Sequence, residues 1–273
     1  MTSATVPGDP RPIGVFDSGV GGLTVARALM DLLPDERLVY FGDTARCPYG
    51  PRDLAEVRGF TAEIVADLAA RDVKLVVAAC NTATAAALET DPLTFALPVV
   101  GVVRPAVRAA ARATRNGRVG VIATQGTVTS RAYDHAMAAD APHVKLESVA
   151  CPRFVELVEA GRTTDPEVLD VAAAYLAPLI AADVDTLILG STHYPLLTGV
   201  LSVVMGPDVV LVSSAEETAR TVFGQLVRDG MLAHAVGAEH RFLASGDPAA
   251  FAALAARFLG PRITAADVQR VGV

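Results

Sequence analysis

LVVAACNTAT (residues 75–84) and LILGSTHYPL (residues 187–196) share one form: a run of apolar residues, a small residue, then a polar reactive group. Each run is short and lacks apolar–polar alternation, which is the pattern of a strand covered on both faces. The polar groups, Cys80-Asn81-Thr82 in the first and Ser191-Thr192-His193 in the second, fall where strand would give way to helix. Strand carboxyl ends are where α/β proteins bind ligands, and the amides that open a helix attract anions. Two such ends predict two facing half-sites. Two ordinary buried strands ending in small residues would read the same way, and neither segment alone decides between the two.

Similar runs recur outward from these two, at 13–16, 38–41, 99–103, 119–123, 209–212 and 241–244. Helical patterns lie between them: 54–70 and 165–182 are long, and 215–227 follows the cap-like pair Ser213-Ser214. Continuous apolar strands alternating with helices predict an α/β protein with parallel sheet covered on both faces. A single barrel of eight units is the rival arrangement. The chain has 273 residues, which suits one large domain or two small ones, and no low-complexity linker marks a boundary.

Composition removes several classes. Hydrophobic residues at 52% and charged residues at 19% exclude a disordered chain. Mean hydropathy is +0.40, yet the longest apolar run, 171–182, contains Pro178 and falls short of the roughly 18 residues a membrane span requires. No membrane association is expected. Residues 1–10 carry neither a basic start nor an apolar stretch, so they read as a loose tail and the cytoplasm is the expected location. Twenty-three basic against thirty acidic residues give a net charge of −7 without long runs, which argues against nucleic acid as a partner. Cys47, Cys80 and Cys151 are odd in number and far apart, so neither a disulfide framework nor a zinc Cys-x-x-Cys pair fits, and no metal is expected.

The glycine-dense stretch VFDSGVGGLTV (15–25) raises the question of a phosphate cradle. After Gly19 and Gly21 the third position of a G-x-G-x-x-G fingerprint is Thr24, and no G-x-x-x-x-G-K pattern is present. Gly21 and Gly22 instead suit a tight turn and close backbone approach. Asp17 and Ser18 then stand at a strand end, where they can meet a small ligand's ammonium or carboxylate; Asp17 as a mere helix cap fits equally. The chain has two lysines, Lys74 and Lys145, neither beside a glycine-rich phosphate pocket, so a pyridoxal Schiff base is not expected. No cofactor is anticipated.

Cys80 admits two readings. A thiol's ordinary pKa of about 8.5 falls at a helix N-terminus, so one reading is a thiolate near neutral pH, acting as base or nucleophile. The other is a buried structural cysteine. His193 is the candidate partner for a nucleophile, but no G-x-S-x-G elbow surrounds Cys80 or Ser191.

Five blocks now stand in order: VFDSGVGGLTV, GDTARCPYGPR (42–52), ACNTAT (79–84), ACPRFVELVE (150–159) and STHYPLL (191–197). Together they resemble the ordered signature of the bacterial glutamate racemases, across nearly the whole chain. The resemblance implies two flavodoxin-like parallel-sheet domains related by pseudo-twofold symmetry, with the active site between them. It further implies cofactor-independent interconversion of L- and D-glutamate for peptidoglycan, with two thiols on opposite faces of the substrate, and a homodimer. Cys80 matches the first thiol. Ser191 occupies the position of the second, where the family reads Gly-Cys-Thr-His and this chain reads Gly190-Ser191-Thr192-His193. Asp17, Glu156 and His193 match polar residues that assist the proton transfers. Asp17, Ser18, Tyr49, Gly50, Asn81, Thr82, Thr192 and His193 resemble the substrate-binding pairs, and Thr124 a further pocket residue. Cys47 sits where the family has no catalytic thiol, and Cys151 belongs to a family block but reads as a structural cysteine. The expected domains are 1–100 with 213–273, and 101–212.

Serine is a poor substitute for a thiol in such a step. If its hydroxyl resembles water, a pKa of about 15.7 against about 8.5 puts the gap near 10 kcal/mol as an upper bound. His193 acting through Ser191 would offset part of it. The chain is therefore expected to bind glutamate and racemise it poorly. The alternatives are a non-catalytic glutamate-binding or regulatory protein, and an aspartate racemase.

Overall fold

The computed structural model describes residues 8–234, 239–260 and 263–272. In chain order its elements are β1 Ile13–Asp17, α1 Leu23–Leu32, β2 Leu38–Gly42, α2 Leu54–Ala70, β3 Leu75–Ala78, α3 Asn81–Thr84, β4 Val99–Gly101 and α4 Val103–Ala113. Then follow β5 Arg118–Ala123, α5 Gln125–Thr129, α6 Ala132–Asp140, β6 Lys145–Ala150, α7 Arg153–Glu159, α8 Pro166–Ala181, β7 Thr186–Gly190 and α9 Thr198–Met205. The last are β8 Val210–Ser213, α10 Ser214–Arg228, β9 Arg241–Ala244, α11 Pro248–Leu259 and β10 Val268–Arg270.

Local chemistry explains the main helices. Asp53 opens α2 by accepting from the Ala55 amide at 2.7 Å, and Val57, Ile64, Val65 and Leu68 give that helix its buried stripe. Ser213 caps α10 through the Ala215 amide. Proline at the first position of α8 lacks the amide that would be orphaned there.

The strands form two all-parallel sheets, ordered β10-β9-β2-β1-β3-β4 and β6-β5-β7-β8. Two separate sheets overturn the eight-unit barrel. The second sheet repeats the 2-1-3-4 order of the first four strands, so β3 and β7, which carry the two similar segments, are equivalent strands. Alternate residues of the central strands enter opposite cores, as period-two geometry requires. On β3, Leu75 and Val77 face one core with Ile13 and Val15, while Val76 and Ala78 face another with Phe16. Leu187 and Leu189 of β7 likewise pack away from Ile188.

The chain leaves the first sheet after β4, builds the second, and returns with α10, which packs on α1. Of the tail expected over 1–10, residues 1–7 lie outside the described part. The remainder is held and not loose: the Lys74 ammonium donates to the Asp9 carbonyl at 2.8 Å and pairs with buried Glu36 at 2.6 Å. The fourth strand is shorter than read, because Val102 turns the chain into α4 and Val103 is already helical. Among the described residues no helix is long and apolar enough to cross a membrane.

Candidate active site

In each sheet the chain direction of the crossovers reverses between the first strand and its neighbours, which opens a crevice at the strand carboxyl ends. Here the two crevices face each other. Asp17 ends β1 and Cys80 follows β3; Thr124 follows β5 and Ser191 follows β7. All four line one cavity of about 200 Å³ between the sheets, together with Ser18, Tyr49, Gly50, Asn81, Thr82, Glu156, Thr192 and His193. Every residue singled out for the site in the sequence thus lines this one cavity. Neither lysine does.

The glycines set how closely the two halves meet. A Cβ on Gly21 would stand 2.6 Å from the His193 ring and collide with the Thr192 hydroxyl. A Cβ on Gly50 would lie 3.1 Å from Thr124, and the Gly126 amide donates to the Gly50 carbonyl at 2.9 Å across the junction. The glycine-dense turn therefore permits the close approach of the two lobes. Beside it, the hydroxyls of Thr82, Thr124 and Thr127 form a triangle with sides of 3.1, 3.3 and 3.0 Å. Of the three, Thr82 and Thr124 line the cavity and can turn a proton to a carboxylate without adding fixed charge, while buried Thr127 supports them from behind.

Asp17 is buried and accepts from the Gly19 amide at 3.0 Å. Burial raises its pKa, and His193 opposes that rise. Cys80 is the N-terminal cap of α3, its sulfur 3.5 Å from the Ala83 amide. The thiolate near neutral pH expected there is opposed by the surroundings of the sulfur. Burial, reinforced by the Asp17 charge, pushes the thiol up to about 12, and the amides of Ala83 and Ser18 with the Ser18 hydroxyl offset only part. The helical turns that Cys80 opens run on through Ala85–Glu89 as a π-helix, and the amides at their start offset only part of the cost of desolvating the sulfur.

On the opposed side, Ser191 Oγ lies 3.5 Å from the His193 amide. The His193 ring is engaged elsewhere: Nε2 meets Glu159 Oε1 at 3.0 Å and Nδ1 faces Thr192 Oγ1 at 3.5 Å. Among the described residues no ring nitrogen bonds to Ser191, so the histidine does not activate that hydroxyl in this arrangement. Glu156 lines the cavity, but the carboxylate that reaches His193 is Glu159, one turn further along α7. Sequence reasoning passed over Glu159; its position three residues after Glu156, hence on the same helix face, was the available signal.

Tyr49 contributes differently from a free phenol. Its hydroxyl is bound to the buried Asp43 carboxylate and its ring packs against Phe60, so that oxygen is committed to the interior. Cys47 also lines the cavity, with its sulfur 3.2 Å from where a Gly19 Cβ would stand, and burial pushes its thiol up to about 12. Cys151 lies outside the cavity, buried in the second lobe's core beside Phe154.

The Asp/Glu/hydantoin racemase family model matches residues 23–222. A glutamate racemase of Beutenbergia cavernae is 58% identical over 265 residues, covering 92% of this chain and 90% of that protein. The crystal structure of a glutamate racemase isoform from Bacillus anthracis superposes with a TM-score of 0.92 at 42% identity, over 96% of this chain and 98% of that one. The Francisella tularensis glutamate racemase, solved with D-glutamate, gives a TM-score of 0.89 at 33% identity, over 97% and 98% of the two chains.

Proposed function

The chain belongs to the Asp/Glu/hydantoin racemase family, and from that premise we propose that its cavity binds glutamate and moves the α-proton with Cys80 as its single working thiol. The carrying observation is that Cys80 and Ser191 come from equivalent strands of two facing sheets and line the same cavity. A small, mostly enclosed site suits an amino acid. Asp17 serves the substrate ammonium, while Ser18, Asn81, the threonine hydroxyls and Thr192 hold the carboxylates. Tyr49 and Gly50 shape the wall near Thr124.

Binding itself prepares the base. The Asp17 charge is among the causes that keep the Cys80 thiol high, so an ammonium placed against Asp17 removes that repulsion and adds attraction for a thiolate. The thiolate then takes the α-proton of the enantiomer that faces it, which by the family resemblance is D-glutamate. A second thiol would deliver a proton to the far side. Ser191 offers a hydroxyl with no histidine nitrogen bonded to it, so the carbanion regains its proton from Cys80 without inversion. Turnover between enantiomers is therefore slow, and D-glutamate supply for peptidoglycan is the role of the scaffold when the second thiol is present.

Proton NMR in deuterium oxide tests this. D-glutamate is expected to lose its α-proton signal while L-glutamate keeps it. Equal exchange from both enantiomers, or from neither in a protein that binds both, would count against the assignment. A binding protein without chemistry gives the second pattern, and tighter binding of aspartate than of glutamate would favour the aspartate alternative. A homodimer, a cytoplasmic location and the division into 1–100 with 213–273 and 101–212 complete the proposal.

A further inference from the structure

Asn81 is 3% exposed and lines the cavity, yet its Nδ2 has no hydrogen-bond partner among the described residues. Its Oδ1 is 2.7 Å from the hydroxyl of Tyr133, which comes from α6 of the other lobe and is itself buried. Burial holds the Tyr133 phenol well above its ordinary pKa, so it keeps its proton. That proton needs an acceptor, and Asn81 Oδ1 is the one partner the Tyr133 hydroxyl has among the described residues. A flipped amide could donate to the Tyr133 oxygen, but the phenol proton would then have no acceptor among the described residues, so the orientation with Oδ1 towards Tyr133 is the one that satisfies that proton. The bond therefore fixes which end of the carboxamide is left without a protein partner, and that end is the donor.

We propose that Tyr133 is a positioning residue for the substrate: by holding Asn81 Oδ1 across the lobe junction it presents Asn81 Nδ2 as a donor to a carboxylate of the bound amino acid. The inference rests on the glutamate reading and deepens it. The contact crosses the lobe junction, so both lobes contribute to the orientation of the amide. An unpaired buried donor is unfavourable, so an acceptor of matching geometry is favoured there over an apolar group or a cation.

Calorimetric titration of the full chain with D-glutamate tests it. Tyr133→Phe removes one oxygen and is expected to weaken binding about tenfold, the usual scale for leaving a buried group unpaired. In an Asn81→Ala background the same change is expected to alter affinity less than about twofold, because the coupled partner is already gone. Asn81→Asp keeps an acceptor for Tyr133 but offers the ligand an oxygen, and is expected to weaken binding more than Tyr133→Phe does. Unchanged affinity in Tyr133→Phe, or a loss that persists in full without Asn81, overturns the inference. Should Tyr133→Phe not fold, Tyr133→Met, which fills the space without a donor, takes its place with the same two outcomes, and wild-type affinity in Asn81→Asp overturns the proposal independently. Failure of the unaltered chain to bind glutamate would remove the functional reading and this inference together, whereas binding with an indifferent Tyr133→Phe removes the inference alone.

Discussion

Glu159 Oε1 stands 3.0 Å from His193 Nε2, and the edge of the same imidazole meets the Phe258 ring with centroids 5.7 Å apart. The carboxylate and the phenyl ring together fix the plane of the histidine, and the carboxylate fixes which nitrogen carries the proton. His193 in turn faces Asp17 closely enough to oppose the rise in its pKa. Glu159 is thus two contacts removed from Asp17, the carboxylate proposed above to meet the substrate ammonium, and acts on it by positioning His193. Glu159→Gln can still accept from His193 Nε2 through its amide oxygen but removes the negative charge that favours the imidazolium. In a Ser191→Cys background we expect kcat to fall by one to two orders of magnitude with KM changed far less, and Glu159→Ala to fall further. Steady-state kinetics by polarimetry measures both; equal effects on kcat and KM would mean that Glu159 acts through binding.

Ser191→Cys is the direct test of the missing thiol. The replacement is nearly isosteric in a cavity that already holds Cys80 on its other side. Racemisation of either enantiomer, followed by circular dichroism, is expected to rise at least a hundredfold over the unaltered chain. No gain would place the fault elsewhere in the site.

The interior of this fold is legible from sequence because a buried parallel strand must be apolar throughout. β1, β2, β3, β5 and β7 are continuous runs with both faces covered, and each is found within a residue or so of its expected place. β6 was missed because it is an edge strand: Lys145 and Glu147 face solvent and break the apolar run. β10 has three residues, two of them exposed, and leaves no pattern to read. The site divides the same way. Residues at strand ends are visible as small or polar punctuation, whereas contacts across the lobe junction, such as Glu159 with His193 and Tyr133 with Asn81, depend on how two sheets dock. Cys80 shows a third limit, since the cap position suggests a low pKa and only the full burial of the sulfur reveals that desolvation prevails.

Gly21→Ala tests the docking itself. The added methyl would meet the His193 ring at 2.6 Å, and neither that ring, held by Glu159, nor the backbone at Thr192 can withdraw freely. The lobes would have to part by a fraction of an ångström or more. We expect glutamate affinity to fall more than about tenfold while the thermal midpoint moves by only a few degrees, because the cores of both lobes are untouched. Titration calorimetry and a thermal melt on the same sample check it. An alanine variant with wild-type affinity would show that the lobes need not meet this closely to bind.

The three thiols make stability fall in alkali, and Cys151 isolates the effect away from the cavity. Burial pushes Cys47, Cys80 and Cys151 up to about 12 in the folded chain, against an ordinary thiol value of about 8.5 to 9. A thiol that binds its proton more tightly when folded contributes stability that is fully present below pH 9. As pH rises from 9 towards 12 the unfolded chain ionises first, and the contribution is lost. Cys151 packs in the second lobe's core with its sulfur 3.7 Å from the Val149 carbonyl. Cys151→Ala removes its titration and leaves a small void, so the variant is expected to be less stable than the unaltered chain at pH 8. It should then close about 1 kcal/mol of that deficit between pH 9 and 10, since one group of this kind changes the unfolding free energy by about that much over the interval. Urea unfolding at pH 8, 9 and 10 gives both curves. Parallel curves across that range would mean that the buried sulfur of Cys151 ionises as readily folded as unfolded.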